Sequence, residues 1–586
     1  MPVEQRPSRR RVLALGAGAS LAVAAGVSQG ANAADLPLLG TYDVVVIGSG
    51  AAGMTAALTA AAHGLSCVVL EKAATFGGST ARSGAGIWIP DNPVLRAAGV
   101  PDSPAKAAAY LAAVVGPEAA ADRQEAFLAH GPAMLSLVMA RSPLRFRWME
   151  GYSDYYPELP GGLPGGRSIE PDQLDGNVLG AELARLNPPY LATPAGTVVF
   201  SADYKWLALA AVSVKGAAVA AECLARGTKA ALLGQKPLTM GQSLAAGLRA
   251  GLASAGVPLL YGTALTELFV EQGAVRGAVV TREGATGLYR ARRGVIVGSG
   301  GFEHNAAMRA AYQRQPIGTE WTAGAKENTG DGIRAGQHAG GALALMDEAW
   351  WGPAVDVPGD PYFCLAERTL PGSLMVDASG ARFVNEAAPY GDVVHTMYDR
   401  DPAHPAIPAW LITDQHYRNR YLFKDVAPTL PLPADWYASG AAHKAWTLDA
   451  LAAATGVPGA ALRATVNRFN SLARQGRDTD FRRGDSAYDH YYTDPAVLPN
   501  SCLAPLWLPP YYAFRIVPGD LGTKGGLVTD ARARVLRPDG SAIPGLYAAG
   551  NASAAVMGRS YAGAGSTIGP AMTFGYVAAR DIADTP

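Results

Sequence analysis

The chain is short of charge. Of its 586 residues, 17% are Asp, Glu, Lys or Arg, below the usual quarter. The two signs balance at 49 each, so no surplus exists to hold nucleic acid or an anionic membrane. Cysteine is scarce. Cys67, Cys223, Cys364 and Cys502 lie far apart, and none forms a C-x-x-C pair. That argues against a zinc ribbon or a redox dithiol. Cys67, in the strand-like run "LSCVVL", reads as a small core residue. The nine histidines are dispersed without H-x-x-x-H, so no metal site is expected. Beyond the N-terminal segment, no stretch has the ~20 unbroken apolar residues of a membrane helix. Fixed-period repeats and low-complexity tracts are missing too.

What is plentiful is apolar residues (49%) and glycine (69). The length allows two to four domains' worth of core. The first residues read as a targeting segment. "SRRRVLALGAGASLAVAAGVSQGANA" offers Arg9 to Arg11, an apolar run and a small-x-small end at Ala31-Asn32-Ala33. Residues 1–33 are therefore expected to be a twin-arginine-type signal for a protein exported already folded, with a cytoplasmic location as the alternative.

"YDVVVIGSGAAGMTAALTAAAHGLSCVVLEKA" follows. Val44 to Ile47 reads as a buried parallel strand. Ala51 to His63 reads as a helix ended by Gly64, and "CVVLE" as a second strand. Gly48, Gly50 and Gly53 form G-x-G-x-x-G, and Glu71 comes eighteen residues after Gly53. This order is a dinucleotide fingerprint. Gly48 permits the turn, Gly50 lets a pyrophosphate approach, and Gly53 lets helix and strand pack. Glu71 is positioned to accept from a ribose, and the helix start faces the phosphates.

Two further segments favour FAD over NAD. "FGGSTARSGAGIW" (Phe76 to Trp88) supplies small residues along an extended dinucleotide. "GLYAAGN" (Gly545 to Asn551) brings the chain back to the same layer near its end, as does "RARRGVIVGSGGFEHN" from Arg290. The fold class expected is α/β, a Rossmann-like FAD-binding domain interrupted by an inserted α+β substrate domain. We divide it as 40–345, an insertion at 346–520, and 521–586. Within the insertion, "SLMVDASGARFVNEAAPY" reads as strand-like.

Near the C-terminus, "GRSYAGAGSTIGP" sets Tyr561 among glycines before an expected helix at Ser566 to Ala583. Trp350 and Trp351 read as domain packing, His304 as a loop residue, and Lys524 as a surface-turn lysine.

With "GSGAAGMTAALTAA", "FGGSTARSGAGIWIP", "GYSDYYPELPGG", "NTGDG", "AWWGP", "ARFVNEAAPY", "PGDLGTKGG" and "YAGAGSTIG" in place, the chain resembles the 3-ketosteroid Δ1-dehydrogenases. These are flavoproteins of the fumarate-reductase/succinate-dehydrogenase superfamily. The resemblance runs from about Tyr42 to the C-terminus and implies 1,2-desaturation of ring A of a 3-oxosteroid. It implies that Tyr561 and the Gly565 N–H bind the C3 carbonyl and that Tyr390 takes the C2 proton. A tyrosine of "SDYY" assists; Tyr155 is preferred, with Tyr156 as the alternative. Where the family commonly has Pro after the tyrosine, this chain has Ala562.

For the cofactor the expected contacts are Gly48, Gly50, Ala51, Ala52, Gly53, Glu71, Lys72, Gly78, Ser79, Thr80, Ser83, Gly84, Gly86, Ala264, Gly300, Asp331, Gly550, Asn551, Ser566 and Ile568. No histidine lies between Phe76 and Trp88, so the FAD is expected to be non-covalent. The other expected partner is a quinone or another electron acceptor, and the protein is expected to be a monomer or homodimer. A tyrosine base, ordinarily near pH 10, is expected to be activated by its tyrosine neighbour. The competing readings are a desaturase of another cyclic ketone or a Δ4-acting steroid enzyme. Further off are a fumarate reductase-like enzyme, for which Arg559 is the nearest candidate acid, and a non-catalytic flavin carrier.

Overall fold

The computed structural model describes residues 36–359 and 361–585. The signal read at 1–33 lies outside the described residues.

The strand Leu38–Ile47 ends in four buried residues, Val44 to Ile47. A run with no polar face must lie in a sheet covered on both sides. It pairs in parallel with Cys67–Leu70 on one side and with Ala285–Val297 on the other. Ala542–Ala548 joins Ala285–Val297, also in parallel. The last long strand thus returns to the sheet that the first one started. Leu259–Leu260 and Arg534–Leu536 complete the two ends, and the antiparallel pair Thr263–Glu271 and Ala274–Arg282 branches from Ala285–Val297.

Between the first two parallel strands runs the helix Ala51–Ala62. Seven of its residues are alanine, the best helix former. It stops one residue earlier than expected, with His63 as its cap and Gly64 at φ +77°. The C-terminal helix Ile568–Asp584 packs across it. That helix begins two residues later than expected. Gly565 has φ +96°, and Ser566 Oγ accepts from the Gly563 N–H at 3.0 Å. Those turns hold the chain out of the helix until Ile568.

The second sheet has six strands. Tyr511–Thr523 pairs antiparallel with Ala349–Val355, Ala409–Asp414 and Ala442–Ala445. Leu374–Val376 and Tyr362–Phe363 lie at its edges. Leu343–Ala344 pairs antiparallel with Gly526–Leu527. The strand-like reading of Ser373 to Tyr390 needs correcting. Only Leu374–Val376 is a strand. Asp377 then binds the Ser379 and Ala381 N–H groups and forces a turn. Pro389 caps the helix Tyr390–Asp399. Tyr390 is therefore the first residue of a helix.

No helix of the described residues is long and apolar enough to cross a membrane. All four cysteines are buried and free. Burial pushes the Cys67 thiol up to about 12. Among the described residues no His, Cys, Asp and Glu group could hold a metal.

Candidate active site

One cavity of about 620 Å³ runs from the Gly48 turn to the inserted sheet. Its first half is a backbone cradle. Gly48 has φ +98°, and a Cβ there would lie 2.6 Å from the Gly298 carbonyl oxygen. At Gly53 a Cβ would collide with the Gly48 carbonyl oxygen. At Gly50 the nearest atom is Thr80 Oγ1 at 3.7 Å, so that face is open. Only the open glycine leaves room for a phosphate, as a dinucleotide cradle requires.

Side chains then fix the cradle's walls. The Ala51 N–H donates to Thr80 Oγ1 at 3.0 Å. Glu71 accepts from the Ser49 N–H, Ser49 Oγ and the Ala73 N–H at 2.9, 2.6 and 2.8 Å. A carboxylate has about four acceptor sites, so one remains for a ribose hydroxyl. Lys72 pairs with Asp331 at 2.7 Å, and Ser79 Oγ accepts from the Ala325 N–H and Asn328 Nδ2.

Most of the expected cofactor residues line this cavity; Gly53, Ala264 and Ser566 do not. Gly53 serves packing instead. Ala264 alternates with Thr263 and Leu265, which do line it, because neighbouring strand residues face opposite ways. Ser566 is fully buried and binds the Gly563 backbone. Asn328, Thr329 and Gln242 also line the cavity and were missed. For Asn328 and Thr329 a signal existed, since they open "NTGDG".

The second half of the cavity is aromatic. Tyr155, Tyr390 and Tyr561 come from three remote segments and meet ring against ring. The centroids of Tyr155 and Tyr390 lie 5.2 and 5.1 Å from that of Tyr561. Tyr155 Oη donates to Tyr390 Oη at 2.8 Å. Tyr156 instead donates to Asp392 at 2.9 Å. Tyr155 is thus the member of "SDYY" that meets Tyr390.

Each tyrosine is held by its own scaffold. The Tyr155 N–H donates to the Ala562 carbonyl at 3.0 Å. The neighbouring Asp154 is locked by Trp88 Nε1 and by the buried Arg167. Arg368 donates to the Glu386 and Ala388 carbonyls just before Tyr390. Tyr561 packs edge-on against Trp350 at 5.0 Å, and Trp350 Nε1 donates to Asn551 at 2.9 Å.

Thr567 is a fourth residue that sequence reasoning missed. Its Oγ1 lies 2.9 Å from Tyr561 Oη, and either oxygen can donate. With Thr567 as donor, the Tyr561 proton is free for a ligand. The Gly565 carbonyl accepts from the Trp88 and Gly569 N–H groups. The Gly565 N–H has no hydrogen-bond partner among the described residues. A Cβ at Gly565 would strike the Gly86 backbone. The φ of this residue and that close approach demand glycine, beyond any need for ligand space.

Burial raises all three phenols. Tyr390 is held well above 10, chiefly by desolvation, and the Tyr155 hydrogen bond only partly offsets this. Tyr561 is also raised by burial and stays a protonated donor. The expected activation of Tyr390 by its neighbour is therefore a partial compensation.

Lys524 is not a surface residue. It is 2% exposed, donates to the Ser560 carbonyl at 2.6 Å, and sits 4.5 Å from the Trp350 ring centroid. Burial lowers its ammonium to about 8. Arg559, the cation a fumarate reductase-like site would use, is half exposed. It is paired with Asp347 at 2.6 Å and with Glu348, and it does not line the cavity. His304 is a loop residue bonded to the Gly324 carbonyl.

Comparison with known proteins fits this geometry. Residues 43–568 match the family model described as FAD binding domain. The chain is 53% identical over 555 residues to the 3-oxosteroid 1-dehydrogenase of Mycolicibacterium smegmatis, covering 93% of this chain and 97% of that protein. It is 37% identical to the 4-oxocyclohexanecarboxylate 2-dehydrogenase of Sinomonas cyclohexanicum, covering 93% of each. Among solved structures it resembles the 3-ketosteroid Δ1-dehydrogenase of Sterolibacterium denitrificans in complex with 1,4-androstadiene-3,17-dione. That match has a TM-score of 0.89 and 40% identity, covering 93% of this chain and all of that one.

Proposed function

We propose, for a chain that belongs to the FAD-binding family of the 3-oxosteroid 1-dehydrogenases, that it desaturates the C1–C2 bond of 3-oxosteroids. The observation that carries this reading is the Tyr155–Tyr390 hydrogen bond packed against Tyr561 and the unpaired Gly565 N–H.

The cradle fits FAD, through the closed Gly48 turn, the open Gly50 face and the free acceptor site of Glu71. Among the described lining residues there is no histidine or cysteine, which suits non-covalent binding. Bound FAD supplies the acceptor for the hydride that leaves C1.

The protein's own residues do the rest. The Tyr561 hydroxyl and the Gly565 N–H converge on the C3 oxygen and stabilise the charge that grows there. That polarisation acidifies the C2 proton. Tyr390 Oη, having first lost its own proton to solvent, accepts it as a phenolate, and the hydrogen bond from Tyr155 stabilises that phenolate until the transfer restores the phenol. The apolar wall excludes water, which strengthens each of these contacts. Lys524 holds the Ser560 carbonyl and the Trp350 face, and so positions Tyr561 between them.

The test is anaerobic addition of androst-4-ene-3,17-dione to the yellow holoenzyme. Bleaching of the oxidised flavin with formation of the 1,4-diene supports the reading. No bleaching by 3-oxosteroids, with fumarate oxidising the reduced flavin, moves the protein to the rival class. Reduction only by a small cyclohexanone acid, as the Sinomonas relative's name suggests, moves it to the other desaturases.

A quinone or another small oxidant is the proposed electron acceptor. The segment at 1–33 is proposed to export the folded flavoprotein. Replacement of Arg9 and Arg10 by lysine is expected to leave it in the cytoplasm.

A further inference from the structure

The second donor of the oxyanion hole is the Gly565 N–H. It belongs to the peptide group that joins Ala564 to Gly565, and both residues line the cavity. A trans peptide is planar, and its C=O and N–H point in opposite directions. Whatever holds the Ala564 carbonyl therefore aims the Gly565 N–H. The bonds to the Gly565 carbonyl from the Trp88 and Gly569 N–H groups fix the next peptide, not this one.

Ser168 holds that carbonyl. Its Oγ donates to the Ala564 oxygen at 2.7 Å, and no other donor among the described residues reaches that oxygen. Ser168 opens the short strand Ser168–Pro171 and stands opposite Trp88 in the antiparallel pairing with Ile87–Trp88. It is 1% exposed and lies outside the cavity lining. Its backbone is anchored. The Met149 N–H donates to its carbonyl at 2.9 Å, and the preceding Arg167 is fully buried and paired with Asp102 and Asp154. A hydroxyl on a fixed strand thus bonds one end of a peptide group. The other end of that group, the Gly565 N–H, has no hydrogen-bond partner among the described residues.

We propose that Ser168 is a positioning residue for the oxyanion hole: it sets the plane of the Ala564–Gly565 peptide and strengthens the Gly565 N–H as a donor. The proposal rests on the 3-oxosteroid reading and adds a residue to its machinery. A hydrogen bond accepted by a peptide oxygen draws electron density away from the nitrogen, and bonds in such a chain strengthen one another. The gain is greatest when the ligand oxygen carries most charge, so it favours the enolate-like transition state over the bound ketone. Without the hydroxyl, the Ala564 carbonyl loses its partner. Ala564 is only 8% exposed, and an unpaired buried carbonyl is costly. The peptide is then expected to tilt and carry the N–H off the C3 oxygen.

The test reads the hole directly. Androsta-1,4-diene-3,17-dione, labelled with carbon-13 at C3, is bound to the oxidised holoenzyme, and its C3 carbonyl stretch is measured by infrared difference spectroscopy. Bleaching by androst-4-ene-3,17-dione is timed in a single turnover. Binding to the wild type is expected to lower the stretch. Ser168→Ala is expected to bind the ligand with full flavin, to move the stretch back up, and to bleach about three- to tenfold more slowly, the effect of one hydrogen bond. Ser168→Thr keeps the hydroxyl and is expected to restore most of both. A residue that only supports the fold would lower Tm and leave the stretch alone. Bleaching by the wild type with a stretch that Ser168→Ala does not move overturns the proposal and leaves the desaturation reading standing. Should Ser168→Ala not load flavin, Ser168→Cys, with its weak S–H donor, carries the same comparison. An intermediate stretch supports the proposal there, and a wild-type stretch overturns it. A stretch that moves in Ser168→Ala as expected, but no bleaching of the wild type by the 4-ene, would remove the desaturation reading and leave the positioned donor standing.

Discussion

The two halves of the cavity are built in opposite ways. The nucleotide cradle is local. Gly48, Gly50, Gly53 and Glu71 fall within 24 residues, and backbone does most of the work. The tyrosine cluster is non-local. Residues 155, 390 and 561 arrive from three segments, and side chains do the work. The cradle is thus a property of one βαβ unit, whereas the cluster exists only once both sheets have formed. Damage to the first should empty the enzyme of flavin. Damage to the second should leave it yellow and slow.

That contrast can be broken by single substitutions. The largest effect is expected for Tyr390→Phe. Loss of a positioned base costs about 10²–10⁴ in turnover, with flavin content unchanged. Stopped-flow bleaching measures it, and a colourless variant would blur the two regions. Next comes Tyr561→Phe, which removes one oxyanion donor. Its expected cost is about 10²–10³ in kcat, again with full flavin. Gly53→Val is expected to do the reverse. The protein should purify without flavin and with a lowered Tm, because its side chain collides with the Gly48 carbonyl.

Tyr155→Phe should cost less than either catalytic change, about tenfold, and more than Tyr156→Phe, whose hydroxyl serves Asp392. Equal effects in the two variants would remove the support of Tyr390 by Tyr155.

pH sharpens the same comparison. Tyr390 acts deprotonated, and burial holds it well above 10. Activity of the wild type should therefore climb with pH without a plateau below about pH 10. A flat profile from about pH 6 to about pH 10, with chemistry rate-limiting, would contradict a tyrosine base. Flavin retention should not follow that slope. The smallest effect concerns Lys524. Its folded value of about 8 lies below the ordinary 10.5. From pH 8 towards 10.5 the unfolded chain binds more protons than the fold, so stability rises with pH. Wild type should gain Tm across that window relative to Lys524→Met.

The same contrast explains what could be read from the sequence. The Gly48 turn, the helix after it and the return strand Ala542–Ala548 were legible because spacing alone dictates them. Tyr561 was half legible, since glycines flank it. Tyr390 and Tyr155 carried no local mark and depended on resemblance to a family. The Tyr155–Tyr390 bond, Thr567 behind Tyr561 and the burial of Lys524 needed the assembled fold. Each is a contact between residues whose separation, or whose surface, the chain order does not encode. The strand-like reading before Tyr390 failed for a related reason. Asp377 and Pro389 outweighed the β-forming residues between them.

The most direct test of the account is single-turnover flavin reduction under anaerobic conditions, comparing wild type with Tyr390→Phe at equal flavin content. Androst-4-ene-3,17-dione is expected to bleach the wild type and yield the 1,4-diene. The variant is expected to bind the steroid, read as a perturbed flavin spectrum, yet to bleach at least about 100-fold more slowly. Equal bleaching rates in the two proteins, or no bleaching of the wild type, would contradict it.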